Sequence, residues 1–187
     1  LNVEPWKTGY NDLAADPHSS LSYTMQGPFA SVSRTPHVNL GEYKNDMQAI
    51  YNLARMWYYT GNNAYAQKAH DILISWATTH TSFDGGEIYL SMGDYTYRVF
   101  GGADILRGTW PGWTQADTDL CKTYFENLYW NSNHIAVPNP LRSANQGILQ
   151  LISGVGVAVF NDDAEKFDLC LKAFRTDAAG GLLSSLP

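Results

Sequence analysis

From residue 45 to residue 77 the apolar positions recur every three or four residues. Met47, Ile50, Tyr51, Ala54 and Tyr58 share one helical face, and Tyr65, Ala69, Ile72, Leu73 and Trp76 share another. That spacing is the period of an amphipathic helix. Gly61 lies between the two sets. It ends the first helix at low cost, because glycine adopts a left-handed conformation without a Cβ clash. The pattern predicts a helical hairpin.

Two more hairpins follow by the same reasoning. "PGWT", residues 111 to 114, is a turn after a predicted helix over residues 94 to 107. Thr114 is a good N-cap, and Asp117 favours the positive end of the helix it opens. Leu120, Cys121, Tyr124, Phe125 and Leu128 form the next stripe. "NDD", residues 161 to 163, separates an apolar helix from Ile148 to Phe160 from a stripe of Phe167, Cys170, Leu171 and Phe174. The turns near 61, 112 and 162 repeat at about fifty residues, a period typical of stacked helical hairpins. No sustained period-2 alternation appears, so strands are not expected. The expected fold is all-α, an incomplete (α/α) toroid built of helical hairpins, with apolar helices covered by amphipathic ones.

Residues 1 to 44 differ from residues 45 to 187. "GPFASVSRTPHVNLGEY" carries Gly, Pro and Ser punctuation and no helical period. It reads as an irregular N-terminal segment, either a lid loop or a structural wrap. "AAGGLLSSLP" supplies no closing helix after the third hairpin. Repeat stacks need a capped end. The expectation is therefore that more protein follows, either as further residues of the same chain or as a second polypeptide that supplies the rest of the toroid.

Composition narrows the function. The formal net charge is −6, which argues against general nucleic-acid binding. No apolar run reaches the roughly 20 residues that span a bilayer. Leu1 without a preceding Met reads as a mature or trimmed start. Six Trp, twelve Tyr and seven Phe exceed what charge patterning explains. Such rings fill cores, and their flat faces also stack on sugars. Cys121 and Cys170 match no metal motif. They are either two buried thiols or an inter-helix disulfide. His70, His80 and His134 have no ligand spacing, and no H-E-x-x-H, P-loop or G-x-S-x-G motif occurs.

The polar stretch "PLRSANQG", residues 140 to 147, runs straight into the apolar Ile148 helix. A helix N-terminus presents unpaired N–H groups and partial positive charge, which suits a carboxylate or phosphate. Asn145 and Gln146 add neutral donors, and Arg142 adds a charged fork. Gly147 allows close approach to the backbone. The competing reading is that Asn145 only caps the helix.

"GPFASVSR", "NDMQAIYNLARMWYYTGNNAYAQKAHDILISWA", "GGADILRG" and "ANQGILQLISGVGVAVFNDDAEKFD" together resemble the alginate lyase domain superfamily of polysaccharide lyases. The likeness is closest to its glucuronan- and alginate-lyase-like members, and the chain corresponds to their N-terminal half. The resemblance implies β-elimination on a uronic-acid polysaccharide, no organic cofactor and secretion; the sequence itself shows no convincing metal site and leaves a bound structural cation open. It matches Asn145 to the family's carboxylate-neutralising Asn. One departure is Gln146, which stands where alginate lyases commonly carry a His base. Gln146 cannot act as a base, so a tyrosine becomes the expected base or acid. Arg142, Arg34 and His37 are candidate contacts for an anionic sugar, as are Tyr97 and Arg98, which stand with Tyr95 on a predicted inner helix. A non-catalytic carbohydrate-binding toroid and a glycoside hydrolase remain alternatives. A hydrolase needs two carboxylates flanking one bond, and Asp46, Asp94 and Asp104 are the nearest candidates.

Overall fold

The structure, a computed structural model, describes residues 3–131 and 141–177. Seven helices carry the described chain. They are α1 (Trp6–Ala15), α2 (Leu40–Thr60), α3 (Asn63–Thr79), α4 (Ile88–Thr109), α5 (Gln115–Phe125), α6 (Asn145–Phe160) and α7 (Ala164–Thr176). α5 runs on into one π-helical turn, Glu126–Trp130.

α2, α4 and α6 pack side by side as a row, with α4 in the middle. Tyr43 meets Tyr95, Gly102 approaches Ile50, and Trp57 reaches Thr109, so α2 and α4 run in the same direction. Gly93 meets Leu149, Thr96 meets Ser153 and Gly156 meets Phe100, so α6 runs the same way. Each row helix is followed by a partner: α3 packs on α2, α5 on α3, and α7 on α6. Two of the expected hairpins, α2 with α3 and α6 with α7, are therefore present, while α5 packs chiefly on α3 rather than on α4. The result is a row, and a toroid requires further helices.

The two kinds of helix start differently. The partner helices are capped by their own side chains. Asn62 accepts from the Ala64 amide, Thr114 and Asp117 form a reciprocal capping box, and Asp163 accepts from the Lys166 amide. The row helices begin after Asn39, Glu87 and Ala144, whose φ values are 56, 59 and 54°. None of these three provides a side-chain cap. The parallel row thus gathers three uncapped, positively polarised N-termini at one end.

A mostly aromatic core fills the space between the two sets. Trp76, Tyr43, Tyr129, Phe125 and Phe160 are among its fully buried side chains. Among the described residues one carboxylate is buried with them. Asp46 of α2 accepts from Tyr23 Oη at 2.7 Å, Trp76 Nε1 at 2.8 Å, the Gly27 amide at 2.9 Å and the Gln26 amide at 3.0 Å. Four donors on one carboxylate replace its lost hydration. They also tie residues 23 to 27 down onto α2 and α3.

Three expectations need correction. A small parallel sheet exists, with β1 (Ser31–Ser33) paired to β2 (Ser82–Asp84). Three-residue strands are too short to display alternation, so the pattern missed them. The N-terminal segment is not wholly irregular. It contains α1, which buries only Leu13, so no apolar stripe marks it. Finally, α2 starts at Leu40 rather than 45, and α4 at Ile88 rather than 94. Neither start carries the side-chain cap by which a helix start is recognised in sequence. The "AAGGLLSSLP" stretch and His134 lie outside the described residues.

Candidate functional site

The first turn of α4 organises the N-terminal end of the row. Gly93 packs so closely on α6 that a Cβ there would stand 2.3 Å from Leu149 Cβ and 2.7 Å from its carbonyl oxygen. That contact fixes the start of α6 beside the start of α4. The Arg142 guanidinium lies over the Tyr89 ring, 4.9 Å from its centroid. The Arg142 amide donates to Gln150 Oε1 at 2.8 Å, so the approach to α6 is held by the helix it enters.

Asn145 is the first residue of α6, not its cap; that position belongs to Ala144. The capping explanation for Asn145 therefore fails. Its side chain is exposed, that of Gln146 is half-buried, and neither makes a hydrogen bond within the described residues. Arg142 is exposed and forms no ion pair within the described residues. Two amides without a hydrogen bond within the described residues thus stand at an uncapped helix N-terminus, near a guanidinium held over the Tyr89 ring and not ion-paired.

Arg34 belongs to the same end of the molecule but is not free. It follows β1, and its guanidinium lies 3.4 Å from Asp94 Oδ2 and 3.6 Å from Glu87 Oε2. All three side chains are partly exposed, so each pair is weak and open to competition from another anion. The turn that carries Arg34 is closed by pairing of Ser33 with Val38 and of Thr35 with Gly86. Gly85, at φ 73°, lets this approach happen, because a Cβ would stand 2.3 Å from the Thr35 carbonyl oxygen. His37 sits exposed on that turn, with no contact to the other candidates within the described residues.

Tyr97 and Arg98 lie one turn further along α4. The Arg98 guanidinium stacks on Tyr95 at 4.7 Å and on Tyr97 at 4.9 Å. Sequence reasoning missed Tyr89, Lys44, Arg55 and Glu87. Lys44 and Arg55 had a usable signal: with Tyr51 they share one face of α2 at spacings of seven and four. Tyr89 and Glu87 had none, because the start of α4 was placed too late.

The tyrosines expected to supply a base do not all qualify. Tyr43, Tyr124 and Tyr129 are fully buried, and burial pushes each hydroxyl well above its ordinary range. None of them is poised to take a proton. His80 is not a general base either. Burial lowers it to about 4, and its ring is committed to Tyr124 and to the Ser82 carbonyl. His70 lies between α3 and α5 against the rings of Trp110 and Trp113.

The carboxylates required by a hydrolase are each engaged elsewhere. Asp46 is buried under four donors. Asp94 pairs with Arg34, and Asp104 pairs with Arg107 at 2.9 Å. Cys121 and Cys170 are free and buried, so the disulfide alternative is set aside. Burial raises their thiols to about 12 and about 11.

A hollow of about 550 Å³ lies along α6, between α4 and α7, lined by Ile148, Ile152, Val155, Phe167 and Phe174. Its walls are apolar, so it does not suit a sugar acid.

Comparison with curated proteins returned no match, and comparison with solved structures returned none. Residues 33–181 match the family model described as alginate lyase, a span that takes in Arg34, the whole row of helices and the Asn145 corner, and the chain belongs to that family.

Proposed function

We propose that this chain is part of a polysaccharide lyase that cleaves a uronic-acid-containing glycan by β-elimination, with Asn145 neutralising the substrate carboxylate. The observation that carries the reading is the Asn145 amide, without a hydrogen bond within the described residues, at an uncapped α6 N-terminus, one residue after Ala144 and close in sequence to Arg142, which has no ion pair among those residues.

The chemistry asks for that arrangement. The proton on C5, alpha to the carboxylate, is weakly acidic. As it leaves, negative charge moves onto the carboxylate oxygens. Donors aimed at those oxygens stabilise the charge without having to reorganise. The helix N–H groups, the two amides and Arg142 are such donors. The electron pair from the C5–H bond then forms the C4–C5 double bond. The C4–O4 bond breaks, and O4 departs after accepting a proton. Gln146 acts here as a donor to the carboxylate or a hydroxyl. Arg34 and His37 approach the sugar from the 33–38 turn. The base and the acid come from further helices that complete the toroid. Glucuronan is the favoured polymer, because Gln146 replaces the His that alginate lyases commonly carry. Secretion follows from a polymeric substrate of this kind.

An absorbance assay on glucuronan and alginate tests the reading, because β-elimination creates a conjugated unsaturated uronate. Asn145→Ala should lower turnover by about 100-fold or more while the circular dichroism spectrum is unchanged. Saturated products would point to a hydrolase, and binding without product to a carbohydrate-binding toroid. Full turnover by the folded variant would remove Asn145 from the mechanism.

A further inference from the structure

A second constellation lies across α2 and α4 and is not used by the carboxylate corner. Lys44 Nζ stands 4.7 Å from the centroid of the Tyr95 ring. Arg98 stacks on the same ring and on Tyr97. Tyr97 meets Tyr51 edge-on, with centroids 6.2 Å apart. Arg55 lies over Tyr51 at 4.3 Å. The contacts run unbroken through Lys44, Tyr95, Arg98, Tyr97, Tyr51 and Arg55.

Three cations are thus interleaved with three tyrosines. None of the three forms an ion pair within the described residues, although the chain carries a net charge of −6. The cations that do pair with carboxylates within the described residues are Arg34, Arg107, Lys122 and Lys166. The Arg55 Nε is buried with no hydrogen-bond partner within the described residues. Tyrosine faces hold the cations in place through the ring quadrupole without neutralising them. Tyr97 is 48% exposed, and the other five side chains are half-buried, so the row is open to a ligand. Uncompensated charge held on flat rings suits a ligand that alternates carboxylates with pyranose rings.

We propose that this ladder is a binding track for a uronic-acid chain, with carboxylates at Lys44, Arg98 and Arg55 and a sugar ring against the exposed part of Tyr97. The proposal rests on the lyase reading for its ligand class. It adds that the protein grips a polymer beyond the sugar held at Asn145. Local positive potential in an acidic protein concentrates a polyanion where it is needed.

The test is retardation of the full chain in native gels containing polyglucuronate or alginate at about 0.15 M salt. Carboxyl-reduced polymer serves as the neutral control. The double variant Arg55→Met with Arg98→Met should weaken retention at least about 10-fold, and Lys44→Met should weaken it further. Arg98→Lys should recover part of the loss, which separates charge from packing. Lys172→Met removes one charge from α7 and should have no effect. Thermal melts confirm that each variant is folded. Wild-type retention by the folded double variant would overturn the track, and so would an equal loss in Lys172→Met. Asn145→Ala is run alongside. If the wild-type protein yields no unsaturated product yet its retention depends on the ladder, the elimination reading fails and the track stands.

Discussion

The Tyr43 hydroxyl lies 2.9 Å from the Tyr129 hydroxyl in the buried centre of the chain. The contact is one link in a longer series. Tyr129 meets Tyr124 at 3.3 Å, Tyr124 meets His80 Nδ1 at 3.0 Å, and His80 Nε2 meets the Ser82 carbonyl at 3.0 Å. The direction of every bond follows from the last one. A carbonyl only accepts, so Nε2 carries the hydrogen and Nδ1 accepts from Tyr124. Tyr124 then accepts from Tyr129, and Tyr129 from Tyr43. Residues from α2, α5, its π turn and the segment after α3 share one set of protons. Through Ser82 the series also reaches β2, which pairs with β1 next to Arg34.

Tyr129→Phe breaks this series at its middle. Tyr43 is left with a buried donor, and Tyr124 loses the bond it accepts. Unsatisfied buried groups cost about 1 to 3 kcal/mol each. The variant should be destabilised by about 2 to 4 kcal/mol in urea melts. A change below about 0.5 kcal/mol, the low end for a net hydrogen bond, would mean that the series contributes nothing.

His80 makes part of the stability pH-dependent. Burial lowers its folded pKa to about 4, while the unfolded chain titrates near 6.5. Between those values the unfolded state binds a proton that the folded state refuses. Stability is therefore full above pH 6.5 and falls as the pH drops toward 4, by an amount on the order of 3 kcal/mol. Asp16, Asp117, Asp162 and Asp163 all have lowered folded pKa values, so they also lose stability on acidification. A His80→Gln variant keeps those losses. It should start less stable at about pH 7.5 and show a flatter decline to about pH 4.5. Parallel curves for the two proteins would exclude His80 as the source.

Asp46→Asn tests the anchor of residues 23 to 27. Asparagine presents an NH2 where four donors already point inward. At least one donor loses its acceptor, and charge assistance is lost from the rest. The expected cost is about 3 kcal/mol. Hydrogen exchange should report it locally, with the amides of Gln26 and Gly27 losing protection before those of α4. Uniform protection across the chain would mean that the segment is held by other contacts.

Sequence reasoning reached the three helix-ending turns, and the α2–α3 and α6–α7 hairpins, because the turns carry physical signals. Gly61 adopts φ 67°, and Thr114 and Asp117 form the capping box that their spacing promises. The starts of α2 and α4 were misplaced because Asn39 and Glu87 give no such signal. Of the candidate site residues, Asn145 is found without a hydrogen bond within the described residues at the α6 start, and Arg142 lies over Tyr89 without an ion pair. Arg34 is found paired with Glu87 and Asp94, an arrangement that spans more than fifty residues and leaves no local trace. The cation and tyrosine ladder was half legible. Tyr95, Tyr97 and Arg98 drew attention as neighbours in sequence, whereas Lys44, Tyr51 and Arg55 join them only through the packing of α2 on α4.

That packing leads to a last test, on the facing side of α4. Gly93→Ala introduces a methyl group 2.3 Å from Leu149 Cβ and 2.8 Å from its Cα. Backbone cannot yield as a flexible side chain does, so α6 has to move away from α4. The expected cost is about 1 to 3 kcal/mol. Gly108 lies in the same helix, and a methyl group added there would meet nothing within 4 Å, so Gly108→Ala should instead stabilise by up to about 1 kcal/mol. The two variants differ in a second way. Leu149 is one turn after Asn145, so displacing it moves the amide corner as well. Gly93→Ala should therefore lose elimination activity at temperatures where it is still fully folded, and Gly108→Ala should not. If both variants keep wild-type turnover, the position of the α6 start is not what sets the rate.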